Sequence, residues 1–302
     1  MWAESRRAAE SALQVLTRKR ELAAAVAIPI VLAILFFTPP FVFNLLVAAI
    51  ALGALWEFYR LAEKTGHPVA KTVGLAAALL VLLASAVAFA GKILVSSAAG
   101  SFWIVESVRG AEAGRWAFAF LIVLAFLASV ANLLSGVPPA AALGGTGSTL
   151  LGVFLIALPA TTFCYLRSFS PGAVLTLLGI VWICDSCAYY GGKRWGRHKL
   201  APIVSPKKTW EGTLWGFVGA TIFGAAAGTW VLLPELGGLR GAVAGALASS
   251  AGQLGDLVES LWKRGAGVKD SGVFLPGHGG LYDRIDSLLF AGPVLAAFVA
   301  AL

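Results

Sequence analysis

The chain has 302 residues, 59% of them hydrophobic and 13% charged, and its mean hydropathy is +0.85. That is too apolar for a soluble domain of this length, and runs of about twenty apolar residues recur along it. The expected fold class is therefore all-α, a polytopic integral membrane protein. The formal net charge of +8 does not point to nucleic acid, because Lys and Arg cluster in short segments between apolar spans, as in cytoplasmic loops.

At the start of the chain, Arg6, Arg7, Arg18, Lys19 and Arg20 form a basic segment placed to meet anionic lipid headgroups. The apolar run that follows ends in Thr38-Pro39-Pro40-Phe41 rather than a small-residue cleavage site, so it reads as a retained helix. Apolar runs and their breakers predict nine helices, at about 22–39, 41–62, 70–91, 116–136, 140–164, 172–192, 211–233, 239–261 and 285–302. Pro39-Pro40, Pro138-Pro139 and Ser170-Pro171 punctuate the connections. Residues 92–115 read as a loop with a short interfacial piece around Trp103.

A cytoplasmic N-terminus leaves only Lys92, Arg109, Arg115, Arg167 and Arg240 outside, with the other 18 of 23 basic residues inside. That asymmetry predicts nine crossings and an active site facing the cytoplasm. All five aspartates (Asp185, Asp256, Asp270, Asp283 and Asp286) fall after residue 180. The chain accordingly divides into an N-terminal scaffold, 1–170, and a catalytic region, 171–302. Cys164, Cys184 and Cys187 read as small buried side chains, since no second Cys or His pair follows at zinc-site spacing.

Three clusters carry chemistry. In the predicted helix 239–261 and its end, Ser249, Gln253, Asp256, Ser260 and Lys263 are spaced 4, 3, 4 and 3, one helical face, with Glu259 on the same side. Such a stripe must face protein, water or ligand rather than lipid, and Asp256 needs a partner or a metal. Asp283, Asp286 and Ser287 repeat that spacing at the next helix start, after Gly277-His278-Gly279-Gly280. Hard oxygen ligands of this kind suit Mg²⁺ sharing its shell with phosphates, and the glycines allow close backbone approach. The third cluster, 191–213, holds Ser205-Pro206-Lys207-Lys208-Thr209, two lysines at a helix start with Thr209 as N-cap, which favours phosphate binding. Upstream, Asp185 lies at membrane depth on the face shared by Tyr189 and Gly192. Acids for a metal beside bases for phosphates imply phosphoryl or nucleotidyl transfer. The chain contains no P-loop, no Gly-x-Ser-x-Gly elbow and no His-Glu-x-x-His.

The stretch Ser260-x-x-Lys263-Arg264-x4-Lys269-Asp270-x-Gly272-x-x-Leu275-Pro276-Gly277-His278-Gly279-Gly280-x-x-Asp283-Arg284-x-Asp286 closely resembles the pattern of the phosphatidate cytidylyltransferases, or CDP-diacylglycerol synthases. Leu200–Thr213 and Trp56–Gly66 resemble the same family, which departs from this chain at Ser186-Cys187, where it usually shows Thr-Gly. The resemblance implies condensation of CTP with phosphatidic acid in phospholipid biosynthesis, in a bacterial-type inner membrane, with membrane lipids as further partners. It implies Asp256, Asp283, Asp286 and Asp185 as Mg²⁺ ligands, and Lys263, Arg284 and His278 among the catalytic groups. Ser205, Lys207, Lys208, Thr209, Ser260, Arg264, Lys269, Gly279 and Gly280 would bind substrate. A second, monovalent cation and a homodimer stay open. The alternatives are a CTP-dependent lipid-alcohol kinase or a CDP-ether-lipid synthase and, more distantly, an ion-coupled transporter, although no internal repeat is evident.

Overall fold

A computed structural model describes residues 29–99, 110–230, 232–272 and 279–302. The basic N-terminal segment, Trp103 and His278 lie outside the described residues. Each expected apolar stretch carries a helix, and helix also runs through 92–99 and 110–115, expected as loop, because the apolar pattern continues past the breakers there. The first, α1, is described over 29–37. It is followed by α2 (Pro40–Lys64), α3 (Lys71–Ala99), α4 (Gly110–Leu134), α5 (Pro139–Gly152), α6 (Leu158–Phe169), α7 (Pro171–Trp195), α8 (Trp210–Thr229), α9 (Gly238–Gly265) and α10 (Tyr282–Ala300).

The breakers act as their chemistry requires. Pro40, Pro139 and Pro171 open α2, α5 and α7 in the first turn, where a missing N–H costs nothing. Ser170 caps α7 by accepting from the amide of Ala173 at 3.0 Å. A single π turn, Val153–Ala157, joins α5 to α6 just before Pro159, which brings no N–H to the ladder.

Among the described residues, four helices are long and apolar enough to cross a membrane: Pro40–Lys64, Lys71–Phe89, Pro139–Phe169 and Pro171–Trp195. Large apolar side chains point outward along several helices, with Phe37 87% and Leu143 85% exposed. That surface suits lipid and not water. The basic stretch 193–208, expected as a loop, leads from the end of α7 into an antiparallel hairpin of β1 (Lys199–Ala201) and β2 (Ser205–Thr209). Pro206 is tolerated there because a two-stranded ribbon is all edge.

The later helices touch backbone to backbone. A Cβ placed on Gly224 of α8 would lie 2.2 Å from the carbonyl oxygen of Gly241 on α9, and one on Gly245 would lie 2.4 Å from that of Ala220. Only small residues permit this approach. Two apolar clusters fill the interior. One gathers α7 with Leu166 of α6 and Leu295 of α10, and the other joins α2, α3 and α6 to Tyr282 and Leu289 of α10. Helix α10 therefore belongs to both.

Candidate active site

Close contact between α8, α9 and α10 brings the polar stripe of α9 against the hairpin on one side and the start of α10 on the other. Thr209 ends β2 and caps α8 through the amide of Gly212 at 3.2 Å. Glu211, in the first turn of α8, accepts from the amides of Arg197 (3.1 Å) and His198 (3.2 Å) and meets the His198 ring at 2.6 Å. These bonds tie the hairpin to the helix it precedes. Lys208, so placed, puts its Nζ 2.6 Å from Oδ2 of Asp256. Ser260 donates to Oδ1 of Asp256 at 3.4 Å, and Gln253 donates to the Thr213 carbonyl on α8 at 3.4 Å.

One turn further along α9, Glu259 is fully buried and Lys263 nearly so. The Lys263 ammonium lies 2.5 Å from Oε2 of Glu259 and 2.7 Å from Oδ1 of Asp283. Asp283 fills its other oxygen with the amides of Ser271 (3.0 Å) and Gly280 (2.7 Å). Asp256, Glu259 and Asp286 form a separate triplet, each offering a carboxylate oxygen within 4.8 Å of the others.

Of the four carboxylates expected from the sequence to hold a metal, the structure thus brings Asp256 and Asp286 together with Glu259. Asp283 sits beside them, bonded to Lys263. Asp185, on α7, lies outside the triplet but close enough to Asp256 and Lys208 to feel both charges. Cys187 fits the α7–α8 contact, where a Cβ on Gly219 would stand 2.5 Å from its sulfur, while Ser186 is exposed. Arg264 donates to the carbonyls of Val204 (3.2 Å) and Val268 (3.1 Å), fastening the hairpin turn to the end of α9. Lys207, Lys269 and Arg284 are exposed, and Ser205 is half-buried at the start of β2. Gly279 has φ +80°, and a Cβ there would come 2.6 Å from Oδ2 of Asp283. Only glycine holds that position without strain.

The residue that sequence reasoning passed over as a ligand is Glu259. Its signal was the 3-and-4 spacing from Asp256 and to Lys263, which places it on the same buried face. Around the site stand four carboxylates, Asp256, Glu259, Asp283 and Asp286, against the ammoniums of Lys208 and Lys263. Carboxylates in that excess could hold a cation. Glu259 lies at their centre, with Oε2 on the Lys263 ammonium at 2.5 Å and the carboxyls of Asp283 and Asp286 within hydrogen-bonding reach. Hard carboxylate oxygens in such a cluster fit a divalent ion such as Mg²⁺.

Fold and site together define a helical membrane protein with a carboxylate centre and lysines at its rim. The chain belongs to the cytidylyltransferase family, whose pattern it matches over residues 18–302. It is 35% identical over 289 residues to a phosphatidate cytidylyltransferase of Pseudomonas aeruginosa, covering 94% of this chain and 97% of that protein. A phosphatidate cytidylyltransferase of Synechocystis is 45% identical over 138 residues, 45% of this chain and 46% of that one. Its counterpart in Brucella suis is 40% identical over 159 residues, 52% of this chain and 58% of that protein.

Proposed function

We propose that this chain is a phosphatidate cytidylyltransferase, joining CTP to phosphatidic acid to give CDP-diacylglycerol and pyrophosphate. The observation that carries this reading is the alignment with the Pseudomonas protein of that name over nearly the whole of both chains. The carboxylate centre on α9 and α10 supports it, because nucleotidyl transfer asks mainly for charge neutralisation and alignment.

In the reaction, an oxygen of the lipid phosphate forms a bond to the α-phosphorus of CTP. The bond from that phosphorus to the bridging oxygen breaks, and pyrophosphate leaves with its electrons. A phosphate is already anionic, so little general-base help is needed. Asp256, Glu259 and Asp286 would hold Mg²⁺, with Asp283 and Asp185 flanking them. When bound there, the ion would supply neutralisation of phosphate charge and a template for in-line attack.

The chain's own cations do the remaining work. Lys208 and Lys263, now bonded to carboxylates, turn toward phosphate oxygens when a nucleotide arrives. Lys207, Lys269, Arg264 and Arg284, all exposed, attract the anionic substrates. His278 orients a phosphate, and Ser205, Thr209, Ser260, Gly279 and Gly280 shape the binding surface. The catalytic groups lie within 171–302, on the cytoplasmic face of a bacterial inner membrane. The basic residues of 193–208 and 263–284 support that orientation.

Purified protein given radiolabelled CTP and phosphatidic acid, with and without Mg²⁺, tests the reading. Labelled CDP-diacylglycerol and free pyrophosphate are expected. Absence of labelled lipid would refute it, and CDP released beside a newly phosphorylated lipid would mark a kinase instead.

A further inference from the structure

Glu57 sits about two turns from the C-terminal end of α2, within Leu55-Trp56-Glu57-Phe58-Tyr59, and is only 8% exposed. A carboxylate in an apolar helix is costly unless its oxygens are bonded. Its Oε2 accepts from the hydroxyl of Ser271 at 2.8 Å and from the amide of Tyr282 at 3.0 Å. Two glycines make room for the carboxyl. A Cβ on Gly272 would stand 2.2 Å from Oε1, and one on Gly280 would stand 2.2 Å from Oε2.

The same backbone serves Asp283. The amides of Ser271 and Gly280 both donate to its Oδ2, while its Oδ1 takes the Lys263 ammonium. Ser271 is thus bonded twice, by hydroxyl to Glu57 and by amide to Asp283. Filling the space between two glycines would need only a side chain of the right volume. Satisfying two converging donors needs an acceptor.

We infer that Glu57 is a positioning residue for the carboxylate–ammonium centre. It fixes Ser271 and Tyr282, so that the amides of Ser271 and Gly280 hold Asp283 and Asp283 holds Lys263. The inference rests on the cytidylyltransferase reading for its catalytic consequence. It also extends the working site into the part of the chain read from sequence as scaffold.

The test compares full-length wild type, E57Q, E57M and S271A in one detergent. Each is assayed for CDP-diacylglycerol formation and for amide hydrogen exchange. The amide oxygen of E57Q can still accept both donors, so its kcat should stay within about threefold of wild type. E57M fills the same space without an acceptor, and its kcat should fall by about tenfold or more. Exchange at Ser271, Gly280 and Tyr282 should quicken in E57M while α9 stays unchanged. S271A, which deletes one donor, should fall between.

Wild-type turnover in E57M, or unchanged exchange at those amides, overturns the inference. If E57M does not fold, S271A decides: a loss of about threefold supports the proposal, and a wild-type rate refutes it. An inactive wild type defeats the functional reading instead, and the exchange measurements then still judge the positioning role.

Discussion

The ammonium of Lys208, on the second strand of the hairpin, lies 2.6 Å from Oδ2 of Asp256, in the C-terminal half of α9. Both side chains are partly open, at 28% and 31%, so the pair adds only about 1 kcal/mol to stability. Its worth lies in placing a cation against the carboxylate centre. K208M and D256N should therefore each lower kcat/KM by about 10²-fold or more with little change in thermal midpoint. Steady-state kinetics beside a melting curve in detergent checks both halves of the statement.

Lys263 should behave differently, because it is buried between Glu259 and Asp283. Stripping one partner from a buried charge cluster costs about 3–5 kcal/mol, so K263M should lose both activity and several degrees of melting temperature. The double variant K263M/E259Q removes charge from both sides. It should recover part of the stability and none of the activity.

Chelation separates the metal from the fold. Removing divalent ions with EDTA should bring CDP-diacylglycerol formation to background, and added Mg²⁺ should restore it. Because the ion would bind the folded acids, Mg²⁺ should also raise the thermal midpoint of wild type. E259Q should blunt that rise. A midpoint indifferent to Mg²⁺ in wild type would argue against the triplet as its site.

The α8–α9 contact leaves no room for a side chain at Gly224. G224L must push the helices apart, at a cost of about 1–3 kcal/mol. The hairpin rides on α8, so the Lys208–Asp256 contact should lengthen as well. Activity should drop by more than the loss of folded protein explains, which active-site titration of the purified variant measures.

Much of this architecture was legible from residue order. Apolar runs interrupted by prolines locate the helices, since a twenty-residue oily stretch has one good conformation in lipid. The stripe through Asp256 and Lys263 was visible because a helix repeats its face every 3.6 residues. Glu259 was on that face but unremarked as a ligand, and its complete burial depends on how closely α10 approaches.

The hairpin escaped notice for a different reason. Its strands of three and five residues are too short, and too charged, for alternation to show. Glu57 was the least legible residue. Its partners lie 214 and 225 positions away, and no periodicity spans such a distance. A lone acid inside Leu55–Leu61 was the only local sign, and it read as part of the lipid-facing scaffold.

The 225 residues between Glu57 and Tyr282 also set an order of events. At 5–20 residues per second, a ribosome makes Tyr282 about 10 to 45 seconds after Glu57. Throughout that interval α2 is in the nascent chain without the amide and hydroxyl that will bond its carboxylate. The acid therefore waits on water, a proton or an insertion factor until α10 arrives, and maturation of the catalytic centre is tied to completion of synthesis.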